Sequence, residues 1–178
     1  MIRLITPITE DQIRTLKVGD EVLLNGRVVL SRDIGHKYMK EQKPEWLKPI
    51  LENMVIYHCG PVVKKNADGT WSFVAAGPTT SIREEPYQAD VIEAFKLRGV
   101  IGKGGMGPKT AAACQKFGAV YLHGVGGAAV ALAEAIKEVV TVHLYDELGP
   151  PEAFWVLRVE DFRGVVTIDA NGGSLHAD

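Results

Sequence analysis

The chain is poor in cysteine, with only Cys59 and Cys114 among its 178 residues. Two thiols far apart in sequence cannot form the disulfide framework of a small secreted protein. A structural zinc site usually needs four ligands, and a cubane iron–sulfur cluster needs at least three cysteines. The sequence therefore predicts that this chain by itself holds no such metal group.

The sequence also lacks a strong excess of charge and a long apolar run. Its 20 basic and 22 acidic residues give a formal net charge of −2, which favours neither nucleic acid nor a membrane surface as a partner. The weakly polar stretch 124–133 is too short to span a bilayer, and the first residues lack the apolar segment of a signal peptide. We therefore expect a cytoplasmic protein with one domain over residues 1–178, and no nucleic-acid or membrane partner.

Glycine, in contrast, is abundant, at 19 of 178 residues, compared with a usual share of about 7%. Gly102, Gly104 and Gly107 match G-x-G-x-x-G between a predicted strand and a predicted helix, which is the setting of a dinucleotide-binding loop. That fingerprint also needs an acidic residue about 20 positions further on. The next acidic residue is Glu134, which is too late. A nicotinamide-dinucleotide domain therefore stays an alternative that lacks one of its contacts.

The hydrophobic pattern predicts a first half made mostly of strands. Thr9 and Gln12 match a capping box, which predicts a short helix ending near Leu16. Asn25-Gly26 lies between two apolar runs and predicts the turn of a β-hairpin. The hairpin strands are 21–24 and 27–30, a loop and then a helix occupy 31–48, further strands lie at 55–58, from 61 and at 71–76, and a turn lies at 66–69.

The second half has the pattern of alternating strands and helices. One helix begins at Pro86, with Gly99 as its stop, and another runs from Pro108 to Gly118. A third helix is predicted at 127–138, strands at 100–101, 119–122, 139–144, 154–159 and 165–168, and a frayed tail at 172–174. This order predicts parallel strands with crossover helices. The expected fold class is α/β with a mixed sheet, a β-rich first half and a βαβαβ second half.

Three polar segments follow predicted strands, and each carries a cation: Arg32, Arg83 or Lys103. The segments are 31–37, 77–83 and 102–107. Ligand sites of α/β sheets commonly lie beyond the carboxyl ends of the strands. If the three segments converge, they form a pocket for a small anion with more than one negative group, because arginine contacts a carboxylate through two N–H groups and lysine adds a point charge.

Four segments, in order, resemble those of class I fumarases and tartrate dehydratases. Residues 27–37 are similar to a segment ending in [ST]-R-D-x-x-H-K, residues 58–62 to Y-x-G-P, residues 77–83 to G-P-T-T-x-x-R and residues 101–106 to I-x-K-G. The similarity runs from about Ile5 to Phe162. It implies the smaller, β-type region of an iron–sulfur hydro-lyase, a swivelling β/β/α domain that covers the site of a larger α-type region.

The resemblance implies a lyase of the tricarboxylic acid cycle that hydrates fumarate reversibly to (S)-malate, with an L(+)-tartrate dehydratase β subunit as the alternative. Its implied partner is an α subunit that binds a [4Fe–4S] cluster through three cysteines and leaves one iron open to the dicarboxylate substrate (fumarate, malate or tartrate). Further β chains are expected as partners in a homo-oligomer. The β chain would be active only with the α subunit.

Carried over to this sequence, the resemblance implies that Arg32, Arg83 and Lys103 contact the substrate carboxylates, and that Lys103 is also catalytic. Gly102 and Gly104 would let backbone amides approach the same substrate. Each assignment has a simpler alternative, because loop arginines are usually solvated and loop glycines usually serve the backbone.

Thr79 matches the threonine that the resemblance implies as the catalytic base, although a threonine hydroxyl is a poor base without a relay. By pattern alone, Thr79 could equally cap a turn. Asp33 and His36 are expected to organise the loop. A second alternative makes His36 the acceptor of a phosphohistidine swivelling domain, without the Thr-His or Gly-His setting usual for such carriers.

Overall fold

The structure is a computed structural model that describes residues 1–125 and 133–176. The strands of this part are β1 Ile2–Ile5, β2 Glu21–Ser31, β3 Val55–His58, β4 Val62–Lys65, β5 Trp71–Ala75, β6 Gly99–Gly102, β7 Val120–Gly124, β8 Ile136–His143 and β9 Phe154–Ile168. Its helices are α1 Glu10–Arg14, α2 Asp33–Gln42, α3 Lys48–Leu51, α4 Glu85–Phe95, α5 Pro108–Phe117 and α6 Tyr145–Leu148, with 3-10 turns at Glu45–Leu47 and Ser81–Glu84. None of the helices described is long and apolar enough to cross a membrane.

Among the described residues the main sheet has seven strands, and its pairing closes on itself. β2, β3, β6 and β7 are parallel neighbours in that order. The long strand β9 runs antiparallel to both β7 and β2, which joins the two ends of the parallel set. β1 lies beside β2 and β8 beside β9, while β4 and β5 form a separate antiparallel hairpin. The mixed α/β class is confirmed.

Alternation along the strands separates two hydrophobic cores. In β3, Val55 and Tyr57 face one core, and Ile56 between them faces the other, as expected for side chains that point to opposite faces of a sheet. The first core also receives α1 and the partly buried aromatic residues of the β4–β5 hairpin. The second is covered by α2 to α5, for example through Met39 and Phe95. The parallel strands are therefore covered on both faces, and their carboxyl ends stay available for a site.

Two helix boundaries in the sequence are confirmed by their caps. Thr9 Oγ1 accepts the backbone N–H of Gln12 at 3.2 Å, and Gln12 Oε1 accepts the backbone N–H of Thr9 at 3.1 Å. α5 begins at Pro108, and Gly118 ends it in the left-handed region at φ 78°. In both cases a local sequence signal decided the boundary because its hydrogen bonds are local.

The predicted β-hairpin around Asn25-Gly26 is wrong. β2 is one continuous strand from Glu21 to Ser31, with an irregularity in register between Leu24 and Gly26. Gly26 has a φ of 99°, and the side chain of Thr6 occupies the place where a Cβ would lie. The pair thus marks a β-bulge, a second use of a positive-φ glycine.

The predicted stop of the helix beginning at Pro86 is also wrong. α4 ends at Phe95, and Lys96 takes the left-handed cap conformation at φ 55°. Gly99 instead begins β6, where it packs tightly against Val55. A non-glycine residue therefore caps this helix, and the glycine serves strand packing.

The last part of the predicted βαβαβ unit differs from the structure. Residues 127–132 of the predicted third helix lie outside the described residues, while Ile136 to Glu138 belong to β8. β8 pairs antiparallel with β9, so this strand does not extend the parallel set. The two late strands predicted are one strand, which bends where Asp161 takes a φ of 51°. Asp161 is held there because its N–H donates to Asn25 Oδ1 at 3.0 Å.

The tail predicted to fray at 172–174 is instead tied to the sheet. The carboxylate of Asp169 accepts the N–H groups of Val18, Asn171 and Gly173 at 2.8–3.0 Å. Ser174 forms a bridge with Ile168. A buried carboxylate immediately after β9 therefore orders a segment that is rich in glycine.

Candidate functional site

Three segments meet at the carboxyl ends of β2, β3 and β6. Arg32 follows β2, and Lys103 follows β6. The segment between them is held by backbone hydrogen bonds, from Thr79 N–H to the His58 carbonyl at 2.8 Å and from Ser81 N–H to the Lys103 carbonyl at 3.1 Å. The backbones of the three polar segments singled out in the sequence therefore lie side by side.

Arg32 is held in place by the groups around it. Its Nε lies 3.2 Å from Glu152 Oε2. A Cβ on Gly60 would overlap its guanidinium, so the side chain passes directly over that glycine. The predicted loop after Arg32 is wrong, because α2 begins at Asp33 and the Arg32 carbonyl accepts the N–H of His36 at 2.8 Å.

Arg83 is anchored by Asp33. Its Nη2 donates to Asp33 Oδ2, and the arginine side chain is 54% exposed. A hydrogen bond with Glu84 and the contact with Arg83 hold the pKa of Asp33 below its usual value. Burial, followed by the contact with Asp33, raises the pKa of Glu84 to about 9. At neutral pH, Asp33 is therefore a carboxylate and Glu84 beside it is a neutral carboxylic acid.

Lys103 differs from both arginines. It is exposed, and it makes no ion pair within residues 1–125 and 133–176. Arg32 and Arg83 already face a carboxylate each, so Lys103 adds positive charge that the described residues do not balance. The convergence of all three charged ends on one anion stays a prediction.

The hydroxyl of Thr79 is buried. Within the described part of the chain, Thr79 Oγ1 has no hydrogen-bond partner. The hydrogen-bonding capacity of this hydroxyl is therefore unused by the described residues. The same isolation means that no described side chain takes its proton, so the role of Thr79 as a base stays a prediction.

A layer of buried polar side chains lies beneath the site. His36 Nε2 and His58 Nε2 both contact Gln88 Oε1, at 2.9 and 2.6 Å. All three residues are 0% exposed. Burial lowers the pKa of His36 to about 4 and that of His58 to about 3. Both rings are therefore neutral, and one amide oxygen accepts from both.

The layer continues to the glycine-rich loop. His58 Nδ1 contacts Ser81 Oγ at 2.8 Å. The hydroxyl of Tyr121 lies 3.0 Å from Ser81 Oγ and donates to the Gly104 carbonyl at 3.2 Å. Side chains from five separate elements thus connect the loops that carry Arg32, Ser81 and Gly104.

The free energy of unfolding is expected to fall as the pH is lowered from about 6.5 toward 4.5. In that window His36 and His58 bind protons in the unfolded chain and not in the folded one, so acid favours unfolding. Glu84 keeps its proton when folded and opposes the trend, which leaves a net loss of about 1 kcal/mol per pH unit. Denaturant unfolding across this range measures the slope. A flat profile would contradict the neutral buried histidines.

Gly102 is required by packing. A Cβ at this position would overlap Ser81 Oγ, and the residue is buried. Gly102→Ala is therefore expected to destabilise the fold by about 1–3 kcal/mol, the usual cost of overpacking. Gly124→Ala on β7, where the nearest atoms lie at an ordinary 3.7 Å, is the matched control. Equal denaturation midpoints for the two variants would rule out this explanation.

The loop of Gly102, Gly104 and Gly107 differs from the phosphate-binding loop of a dinucleotide site. The side chain of Ser81 fills the space beside Gly102, the first glycine of the motif. Gly104, at φ 74°, has no atom within 4 Å of the place where a Cβ would lie. The start of α5, which a pyrophosphate would need, is already capped, because Glu85 accepts the N–H of Gly107 at 3.0 Å and the hydroxyl of Thr110 at 2.6 Å. The geometry therefore disfavours a nicotinamide dinucleotide. Direct contact of Gly102 and Gly104 with a substrate stays a prediction.

His36 is also poorly placed to accept a phosphoryl group. Its ring is 0% exposed. Nδ1 lies 3.1 Å from both Ser31 Oγ and the Arg32 carbonyl, and Nε2 contacts Gln88. A phosphoacceptor nitrogen needs a free, accessible lone pair, so the phosphohistidine alternative is disfavoured.

The donor groups of this chain do not fit an iron–sulfur cluster. Cys59 and Cys114 are both buried, and they belong to the two different hydrophobic cores. Burial raises the pKa of each thiol to about 12, which disfavours the thiolate that a metal needs. Among the described residues no group of three acidic, histidine or cysteine side chains could hold a metal ion.

Three residues of the site were missed in the sequence: Glu84, Gln88 and Glu152. Gln88 shares the buried face of α4 with Val91 and Ile92, and Glu84 precedes it by one turn. That spacing was a usable signal, because a polar residue in an apolar stripe has to be hydrogen-bonded inside the fold. Glu152 gave no signal, since it is 120 residues from Arg32 in the chain.

Comparison with known proteins places the chain in a family. The Fumarase C-terminus family model matches residues 1–178. The chain is 52% identical over 179 residues to a protein provisionally named class I fumarate hydratase from Geobacillus stearothermophilus, and the match covers 100% of this chain but 34% of that protein. It is 41% identical over 179 residues to L(+)-tartrate dehydratase subunit beta of Escherichia coli K12, and the match covers 98% of this chain and 86% of that subunit. A provisionally named L(+)-tartrate dehydratase subunit beta of Methanocaldococcus jannaschii is 38% identical over 174 residues, and the match covers 96% of this chain and 89% of that subunit. With its whole length matched, the chain belongs to the Fumarase C-terminus family.

Proposed function

We propose that this chain is the β subunit of an iron–sulfur hydro-lyase that interconverts fumarate and (S)-malate by reversible hydration. Arg32, Arg83 and Lys103 bind the carboxylates of the substrate. The observation that carries the proposal is the pair of arginines, each anchored by a carboxylate, beside the loop of the exposed Lys103. The names of the relatives, a fumarate hydratase and tartrate dehydratase subunits, support the same class of reaction.

Anchored cations suit this chemistry. The substrate carries two carboxylates, and water addition or removal passes through an anion that resembles an enediolate. Positive groups that are fixed before the substrate arrives stabilise such charge without reorganising. Glu152 and Asp33 each occupy only part of a guanidinium, so Arg32 and Arg83 keep further N–H donors for the substrate.

Thr79 is proposed to act on the carbon-bound proton beside a substrate carboxylate. Its support is the buried hydroxyl, which no described residue binds. A threonine hydroxyl is a weak base, so the proton has to pass on to a second group. No described side chain is hydrogen-bonded to Thr79 Oγ1, and that acceptor is therefore expected from the substrate or the partner subunit.

The partner is proposed to be an α subunit that holds a [4Fe–4S] cluster. When bound, the cluster supplies a Lewis acid for the substrate hydroxyl. This chain has two cysteines, fewer than the three that a cubane cluster needs, and it spans about a third of the Geobacillus relative, at 34%. Exposed Ile34 and Ile82 flank the arginines and suit a covering subunit. We further propose a swivelling β/β/α domain, a homo-oligomer of β chains and a cytoplasmic enzyme.

L(+)-tartrate is the second candidate substrate. One observation favours it, namely that the chain matches 86% of the length of the Escherichia coli tartrate dehydratase subunit. Tartrate has one more hydroxyl than malate. No described residue identifies a partner for that hydroxyl, so the carboxylate contacts proposed here serve both substrates equally.

Anaerobic co-expression with candidate α subunits tests the proposal. The purified complex is assayed by the ultraviolet absorbance of the fumarate double bond with fumarate or malate, and by oxaloacetate formation with tartrate. Activity in the complex and none in the lone chain is the expected result. A cluster-containing complex that is inactive on all three would reject the substrates, and the absence of any complex would reject the subunit role.

A further inference from the structure

Glu84 is an acid buried without a conventional partner. It lies at the end of the 3-10 turn Ser81–Glu84 and is 0% exposed. Within the described residues, neither of its carboxyl oxygens meets an N–H or O–H donor. A buried carboxylate in this state would lose its hydration with no compensation. The proposed carboxylate-binding function uses Arg83 but gives Glu84 no task.

Another acid, Asp33, lies beside Glu84. Burial and a side-chain hydrogen bond with Asp33 raise the pKa of Glu84, and the same hydrogen bond lowers the pKa of Asp33. Asp33 Oδ2 accepts from Arg83, while Asp33 Oδ1 is buried and has no N–H or O–H partner in the described part. Two carboxyl groups in contact cannot both be ionised at low cost, and a shared proton turns their repulsion into a hydrogen bond.

We propose that Glu84 is a positioning residue whose carboxylic acid donates a hydrogen bond to Asp33 and so holds Asp33 against the Arg83 guanidinium. The acid pair then carries one negative charge. It offsets Arg83 alone and leaves the positive charge of the exposed Lys103 for an anion. The effect on substrate binding rests on the proposed function, whereas the shared proton does not.

The charges around Glu84 agree with this state. Asp33 faces it from α2, Glu152 from the segment before β9, and Arg83 from its own turn. Arg32 lies near Asp33 and Glu152, and its positive charge favours the ionised form of both carboxyl groups. With Glu84 ionised, three carboxylates would face two arginines. With Glu84 neutral, the two carboxylates of Asp33 and Glu152 balance the two arginines.

Carbon-13 NMR of the chain labelled at glutamate side-chain carboxyls tests the shared proton directly. One signal is expected to keep the shift of a protonated acid through neutral pH and to titrate at about 9. Its loss in Glu84→Gln assigns it, and the exposed Glu93→Gln on α4 is the control that removes a different signal. If all glutamates titrate near their ordinary value, the proposal is overturned.

The pH dependence of KM in the assembled enzyme tests positioning. KM for the dicarboxylate is expected to rise above about pH 9, where Glu84 ionises, and Glu84→Gln should remove that rise. Glu84→Leu, which cannot donate to Asp33, should raise KM at neutral pH about tenfold and by more than Glu84→Gln does. Identical KM profiles for wild type and both variants would overturn the positioning role. An inactive complex would reject the proposed function alone, because the carboxyl titration still decides the acid pair.

Discussion

Replacing Arg83 with alanine is expected to lower kcat/KM of the assembled enzyme for its dicarboxylate by about 10²–10³-fold. Truncating one partner of a buried, hydrogen-bonded charge pair commonly costs about 2–5 kcal/mol, and about 1.4 kcal/mol corresponds to tenfold. The bound substrate and the partner subunit are proposed to bury this pair in the assembled enzyme. Two effects combine here, because the substrate loses a guanidinium and Asp33 loses the cation that it faces. The uncompensated Asp33 then repels a dianion.

Two further variants separate recognition from simple charge. Arg83→Lys keeps the charge but loses the planar fork, so it should recover only part of the activity. Arg3→Ala removes an arginine from an exposed pair with Asp161, and such pairs contribute little. Steady-state kinetics on the complex measures all three. If Arg83→Ala retains activity within about twofold of wild type, Arg83 does not bind the substrate.

Gln88→Leu is expected to lower the free energy of unfolding by about 2–5 kcal/mol. The amide oxygen of Gln88 accepts from His36 and His58 at 2.9 and 2.6 Å, and leucine leaves both ring N–H groups without an acceptor in the interior. Each buried donor without a partner costs about 1–3 kcal/mol. Leucine nearly preserves the side-chain volume, so a cavity contributes little.

Chemical denaturation of the chain followed by circular dichroism measures this loss. The exposed Glu93→Ala lies on the same helix and is expected to change stability by no more than about 0.5 kcal/mol. A Gln88→Leu midpoint equal to that of the control would show that the two histidines do not depend on Gln88. The layer beneath the site would then need another source of rigidity.

Local signals in the sequence predicted those parts of the fold whose hydrogen bonds are local. The Thr9 capping box and the stop of α5 at Gly118 are of this kind. The β-hairpin turn predicted at Asn25-Gly26 was wrong because contacts with Thr6 and with Asp161 on β9, both distant in sequence, decide the conformation of this pair. The closure of the sheet depends on β9, which the sequence divided into two strands.

The candidate site shows the same division. The sequence placed Arg32, Arg83 and Lys103 after strands, and the loops that carry them are adjacent in the structure. The sequence indicated Asp33 as a residue that organises the loop, but it did not predict that Asp33 faces Arg83 or that Glu152 faces Arg32, because these pairs form only through folding. Whether the three cations bind one ligand stays a prediction.

The structure of the complete complex with (S)-malate bound, determined under anaerobic conditions, tests the central claim most directly. We expect N–H groups of Arg32 and Arg83 within about 3 Å of substrate carboxylate oxygens, with the cluster held entirely by the partner subunit. A substrate bound only by the partner, with both arginines directed away from it, would contradict the role proposed for this chain.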